Sequence, residues 1–235
     1  MNHPMKIEKL EPSKHKEGRW LVWLEDASIV CIGEGDVVSL GLYTGKELSD
    51  AEGEALAAAG AQSKLMERAV GLLSLRPMSR KELLDKLCAP PRPKRGKHLY
   101  EKLDDAPDPE ALQAQREALR EQAEAVANRL TDLGLLNDGE YARTVVRHYA
   151  VKGYGPRKIQ DELYRRGVPR EFWEDAMGER GQDDRQIDKL VRQKLRDGEP
   201  TRENLKKVSD YLARRGYGWE EISAALERLR EESWE

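Results

Sequence analysis

The sequence has few cysteines, few aromatic residues and no long apolar run. Only two cysteines, Cys31 and Cys88, and one phenylalanine occur among its 235 residues. Two cysteines so far apart are not a disulfide framework, and they favour a reducing compartment. No segment approaches the ~20 apolar residues of a membrane-spanning helix, and no apolar signal segment lies near the N-terminus. We therefore expect a cytoplasmic protein that makes no membrane contact.

The familiar motifs of catalysis and of nucleotide or metal binding are missing as well. The sequence has no G-x-x-x-x-G-K-[ST] loop, no G-x-G-x-x-G after a predicted strand and no C-x-x-C pair. The four histidines lie in unrelated contexts without the spacing of metal ligands. No nucleophile that could pair with His148 is evident. The sequence thus indicates no catalytic residue, no metal site and no cofactor, which favours a binding protein over an enzyme.

Charge is what the chain has in abundance. Charged residues make up 36% of the sequence, apolar residues 38%, and the net charge is −3. This composition is too polar for one thick core and suits thin packing of amphipathic helices. We expect a mostly α-helical chain.

Strand patterns occur only near the N-terminus, which predicts a β-rich segment over residues 1–48. Residues 6–10 alternate polar and apolar side chains, while 20–24 and 28–32 flank a short link and indicate a hairpin. The link contains no glycine, so its turn type stays open. Residues 36–42 fit either a strand or a short helix.

Helical patterns follow from Ser49 onward. Ser49 and Glu52 have the spacing of a capping box, and the helix that they start reaches about Ala59, where Gly60 is expected to bend it. Further helices are predicted over residues 61–75, 80–88 and 109–133. Between the last two lies a proline-rich linker, 89–108, whose first part is basic and suits anionic contacts.

The sharpest charge feature lies between Tyr141 and Arg170. Eight Lys or Arg residues there face two acidic residues, a local net charge of +6. The pattern predicts two helices, one ending before Gly153 and the next starting at Pro156 and closing at Gly167.

This segment has counterparts on both sides, which predicts three tandem three-helix repeats in an elongated array. An offset of 76 residues aligns Leu83 with Ile159 and Leu87 with Leu163, and an offset of 49 aligns Leu212 with Leu163. The predicted boundaries are 49–137 for the lead helix and first repeat, 138–182 for the second and 183–235 for the third.

Cations at the repeat corners are the candidate binding residues, because guanidinium and ammonium groups suit phosphates or an acidic protein surface. Tyrosines interleaved with them could stack on bases or pack in the interior. The candidates are Arg80, Lys81, Arg143, Arg147, Lys152, Arg157, Lys158, Arg165, Arg166, Arg214 and Arg215.

Four motifs, in order, resemble the RecX family of bacterial regulatory proteins, modulators of the RecA recombinase. The motifs are LLSLRPMSRKEL at 72–83, LGLLNDGEYA at 133–142, GPRKI through LYRRGV at 155–168, and YLARRGY at 211–217. The linker at 89–108 and the long helix after it exceed what that family usually places there.

The resemblance implies a non-catalytic protein that lies in the groove of the RecA–single-stranded-DNA filament and blocks its growth and ATP-driven work. RecA is the implied partner, with single-stranded or duplex DNA as a further contact, and a monomer is expected. The residues alone leave an alternative open, a helix-turn-helix protein acting on duplex DNA.

Overall fold

A computed structural model describes residues 5–90, 108–180, 184–195 and 200–232. Most of the predicted basic linker, residues 91–107, lies outside these ranges. The described chain divides into two compact units. The first comprises Met1–Arg76 and Leu83–Leu133, and the second comprises Pro77–Glu82 and Gly134–Glu235.

The first unit opens with an antiparallel sheet in the order β3-β2-β1-β4. The strands are β1 (Met5–Pro12), β2 (Arg19–Leu24), β3 (Ile29–Gly33) and β4 (Glu47–Leu48). The three predicted strands are confirmed. The fourth was missed, because β4 is two residues long and its pairing with Met5 and Lys6 leaves no alternating pattern in the sequence.

The hairpin between β2 and β3 turns without glycine. Ala27 takes the left-handed conformation at φ 62° instead. The Asp26 carboxylate accepts a hydrogen bond of 2.9 Å from the Ser28 amide, and the Leu24 amide donates to the Ser28 carbonyl. An Asx side chain therefore stabilises a turn that a glycine would form more readily.

In its described part, the first unit also contains the helices α1 (Glu34–Ser39), α2 (Asp50–Leu75), α3 (Arg80–Cys88) and α4 (Pro109–Asp132). The first three residues of α3 belong to the second unit. Both hydrogen bonds of the Ser49–Glu52 capping box are present. The predicted bend at Gly60 is wrong, since α2 is continuous. A Cβ at Gly60 would lie 2.5 Å from Val30 Cγ1, so this glycine allows close packing of α2 on β3.

Two apolar groups form the core of this unit. One is a cluster between the sheet and α2, and the other is the set of buried apolar side chains on α2, α3 and α4, which are exposed by at most 8%. The sheet-side residues are Ile7, Val22, Leu24, Ile32, Leu42, Leu48 and Leu56. The helix-side residues are Leu65, Ala69, Leu83, Leu87, Ala123, Val126, Ala127 and Leu130.

The second unit holds two three-helix repeats. Helices α5 (Asp138–Val151), α6 (Pro156–Arg165) and α7 (Trp173–Gly178) form one, with a 3-10 turn (Arg170–Phe172) before α7. Helices α8 (Asp184–Leu195), α9 (Arg202–Arg214) and α10 (Trp219–Glu232) form the other. Each repeat encloses its own apolar cluster. The predicted fold, mostly helical repeats behind a small N-terminal sheet, is confirmed.

Candidate interaction surface

The Arg-Arg-Gly corners at the ends of α6 and α9 have the same backbone geometry. Gly167 and Gly216 adopt left-handed φ values of 68° and 90°. The Val168 amide donates to the Leu163 carbonyl at 3.0 Å, as the Tyr217 amide does to Leu212 at 3.2 Å. Because non-glycine residues rarely adopt this conformation, each glycine closes its helix and turns the chain.

Each corner also receives the N-terminus of the second helix of the preceding repeat. At the α9 corner, the Gly155 amide donates to the Arg215 carbonyl at 2.8 Å and the Arg157 amide to the Gly216 carbonyl at 3.0 Å. A Cβ at Gly155 would lie 2.4 Å from the Gly216 carbonyl carbon. We call this contact the α6–α9 joint.

The α6 corner meets the start of α3 in a related way. The Ser79 hydroxyl donates to the Arg166 carbonyl, and the Asp138 carboxylate accepts a 2.7 Å hydrogen bond from the Arg80 amide. Burial raises the pKa of Asp138 above its ordinary value, although the Arg80 amide opposes this effect. The backbone carbonyls of Arg166 and Arg215 thus accept hydrogen bonds from the neighbouring repeat.

Their side chains are bound as well. Arg166 donates to the Tyr141 hydroxyl at 2.9 Å and lies 3.5 Å from the carboxylate of Glu162, which is 4% exposed. Burial alone would raise the pKa of Glu162, but hydrogen bonds from Arg165 and Tyr149 hold that pKa below its usual range. This arrangement makes the half-buried Arg166 a structural cation.

Arg215 has the same kind of role at the α6–α9 joint. Its Nη1 donates to the carbonyls of Lys152 at 2.7 Å and Gly153 at 3.1 Å. Its guanidinium lies 5.3 Å from the Tyr154 ring centroid and 5.0 Å from that of Tyr211. These contacts stabilise the end of α5, where a cation complements the unsatisfied carbonyls.

Two further predicted residues belong to an ion-pair network between α5 and α7. Arg143 pairs with Glu140 at 3.0 Å and with Asp175 at 2.8 Å. Arg147 pairs with Glu140 at 2.9 Å and approaches Glu179 at 3.6 Å. The acidic partners neutralise these arginines locally, which the sequence pattern did not indicate because Asp175 lies on α7 and Glu179 directly follows it.

The most accessible predicted cations lie on α6 and α9. Arg157 and Arg214 are exposed and have no side-chain partner within the described ranges. Arg165 is 71% exposed, although it pairs with Glu162 at 2.6 Å. Lys158 is half-buried against Gly216, and Lys152 lies over the Tyr149 ring at 6.0 Å.

The remaining candidates lie at the start of α3. The side chain of Lys81 packs against Gly167, and a Cβ added to Gly167 would lie 2.3 Å from Lys81 Cδ. Arg80 is half-buried and Lys81 is exposed, and both make further contacts. They are therefore part of the α6 corner.

Residues outside the predicted set of cations complete the exposed surface. On α6, Asp161 lies between Arg157 and Arg165 on one helix face, beside Tyr164, which is 72% exposed. An offset of 49 residues gives the same pattern on α9. We call these sets the α6 triad (Arg157, Asp161 and Arg165) and the α9 triad (Lys206, Asp210 and Arg214), and all six residues are exposed.

Two concave regions lie in the second unit. A cleft of about 310 Å³ is lined by residues that include Arg147, Arg180 and Tyr217. A shallower groove of about 570 Å³ runs beside α6, along Arg170 and Trp173. Within the described ranges there is no group of three or more potential metal ligands, and none of the helices there is long and apolar enough to span a bilayer.

The fold and this surface define a helical-repeat protein with exposed cations on the second helix of successive repeats. Sequence models of the second and third RecX three-helix domains match residues 137–177 and 182–226. A regulatory protein RecX of Xanthomonas axonopodis pv. citri (strain 306) is 35% identical over 162 residues, which cover 68% of this chain and 84% of the relative. The chain belongs to the RecX family.

Other relatives agree with this assignment. A regulatory protein RecX of Vibrio parahaemolyticus is 36% identical over 44% of this chain and 68% of its own length. A crystal structure of regulatory protein RecX superposes with a TM-score of 0.68 at 23% identity, over 93% of this chain and 97% of the other. RecX from Lactobacillus salivarius gives a TM-score of 0.56 at 22% identity, over 73% and 98%. At these identities the two structures support the fold alone.

Proposed function

We propose that this protein is a non-catalytic regulator that binds the RecA recombinase filament on single-stranded DNA and inhibits its growth, ATP hydrolysis and strand exchange. The observation that carries the proposal is the 35% identity to a regulatory protein RecX over 84% of that relative. RecA is the partner that the family name implies.

The exposed cations support a binding role for the second unit. Arg157 and Arg214 are exposed and have no side-chain partner within the described ranges, and Arg165 is 71% exposed although it pairs with Glu162, so all three can reach acidic groups of a partner. Arg166 and Arg215 act indirectly, because their hydrogen bonds hold the corners that present these helices. Arg143 and Arg147 are the weakest candidates for direct contact, since breaking their ion pairs would offset part of any gain.

The test is the rate of ATP hydrolysis by the cognate RecA on single-stranded DNA, titrated with this protein. Inhibition at substoichiometric or stoichiometric protein is expected, together with cosedimentation with the filament. Tight and sequence-selective binding to bare duplex DNA, with no effect on RecA, would instead favour a helix-turn-helix DNA-binding protein.

A double variant locates the contact. Arg157→Glu with Arg165→Glu should weaken inhibition. Because Arg165 pairs with the buried Glu162, this double variant should also melt below the parent, so inhibition is assayed well below its melting temperature. Lys64→Glu with Lys189→Glu is the matched control, because both lysines are exposed and the change in net charge is the same. Equal inhibition by the two double variants would exclude the α6 triad from the interface.

A further inference from the structure

We propose that the α6 and α9 triads form one two-part docking surface for a protein assembly that repeats the same patch. This inference rests on the proposed function and specifies the partner surface. Each triad places a cation, a carboxylate and a cation four residues apart, so its ends lie about 12 Å apart along the helix. All six side chains are exposed, and only Arg165 has a side-chain partner within the described part of the chain.

The duplication is specific to these two helices. The aligned positions at the start of the chain's first repeat are Lys81, Asp85 and Ala89, so the final cation is missing there. Two copies of one charge pattern on successive repeats match a partner whose own surface repeats. A filament of identical subunits has that property.

The α6–α9 joint fixes the placement of one triad relative to the other. Two backbone hydrogen bonds connect the start of α6 to the end of α9, and Arg215 donates to two carbonyls at the end of α5. A second connection, the 3.1 Å pair of Arg180 with Glu221, joins the end of α7 to α10. Such a preorganised surface avoids the ordering cost of bringing two flexible sites together.

The central carboxylates indicate a protein partner rather than bare nucleic acid. Asp161 and Asp210 are exposed in the middle of their triads. On a phosphate backbone they would repel the ligand, whereas on a protein they can pair with a cation set between two carboxylates. The expected complementary patch therefore carries acidic, basic and acidic side chains in that order.

The sharpest test is Asp161→Asn combined with Asp210→Asn, two exposed changes that leave the packing untouched. Cosedimentation with the RecA filament on single-stranded DNA gives the affinity, and we expect it to fall by roughly tenfold. Tighter filament binding by this variant would overturn the inference and assign the triads to phosphate. A parent protein that does not bind the filament at all would overturn the proposed function itself.

The two-part character has its own test. Arg157→Glu with Arg165→Glu, and Lys206→Glu with Arg214→Glu, should each weaken filament binding by about tenfold or more, because either change leaves a single-site complex. Parent-like binding by either variant would show that only one triad docks.

The joint is tested by Gly155→Ala, whose Cβ would contact the Gly216 backbone although its own φ of −78° suits alanine. We expect weaker filament binding with both triads intact and helical circular dichroism retained. Gly178→Ala, which meets no atom within 4 Å, is the control. Equal binding by these two folded variants would show that the joint does not position the triads.

Discussion

Leu163 is fully buried on α6, where it packs between the helices of its repeat and its carbonyl accepts from the corner residue Val168. Leu163→Ala should therefore lower the free energy of unfolding by roughly 2–5 kcal/mol, from lost apolar transfer and the remaining cavity. Urea melts of the full chain measure this change. Tyr164→Ala, at a neighbouring position that is 72% exposed, should alter stability by no more than about 0.5 kcal/mol. Equal midpoints for the two variants would contradict the assigned core.

Glu52 gives a pH dependence at the start of α2. Hydrogen bonds from the Ser49 amide, Lys46 and the Ser49 hydroxyl lower the pKa of Glu52 from 4.5 to about 2. A carboxylate with a depressed folded pKa stabilises the fold above its unfolded pKa, and this contribution is lost as the pH falls from about 4.5 through 2. Glu52→Gln should therefore melt below the parent at pH 7, with a difference that shrinks toward pH 2. A constant difference across thermal melts at pH 2, 4 and 7 would rule out the charge as its cause.

Corner residues show where local sequence was informative and where it was not. The left-handed glycines were predictable, since Gly167 follows a helical pattern and precedes proline by two residues. The roles of Arg166 and Arg215 were not, because their acceptors lie 25 and 63 residues away in the chain. A cation beside a glycine corner has the same sequence pattern whether it faces solvent or a buried tyrosine.

At the scale of elements, long periodic patterns predicted helices correctly, whereas short elements and tertiary contacts could not be predicted from the sequence. The apolar stripes and capping residues of α3, α5 and α6 placed those helices within a few residues of their bounds. The two-residue strand β4 forms only by pairing with β1, and the need for glycine at position 60 comes from its contact with Val30. Periodicity reports the face that a helix buries but not the partner that covers it.

The sheet and the helical repeats offer a prediction at this same scale. Removing residues 1–48 deletes the sheet, whose apolar cluster includes Leu56 and Ala59 in the first half of α2. We expect far-UV circular dichroism of the truncated chain to retain the helical signal apart from the opening turns of α2. A collapse of that signal would mean that the sheet templates the repeats.

Across the whole molecule, positive charge is concentrated in one segment, so that segment rather than the whole chain can attract an acidic partner. The chain has a net charge of −3, yet residues 141–170 carry +6 and include the α6 triad. A net negative chain gains no long-range steering toward a polyanion, and fields beyond about 8 Å are screened at physiological ionic strength. Binding should therefore depend on the fit of a few side chains rather than on total charge.

This distribution predicts a shallow salt dependence for binding to the RecA filament. If the four triad cations each neutralised a phosphate of single-stranded DNA, the plot of log K against log salt would have a slope of about −3. Pairing with protein carboxylates releases fewer condensed counterions, and the two central aspartates reduce the net charge that is neutralised. We therefore expect a slope clearly shallower than −3 for the parent, and shallower still for Arg157→Glu with Arg165→Glu. Affinities measured at about 50, 100 and 200 mM salt distinguish contact with DNA phosphates from contact with protein carboxylates. A slope of about −3 or steeper for the parent would assign the surface to DNA.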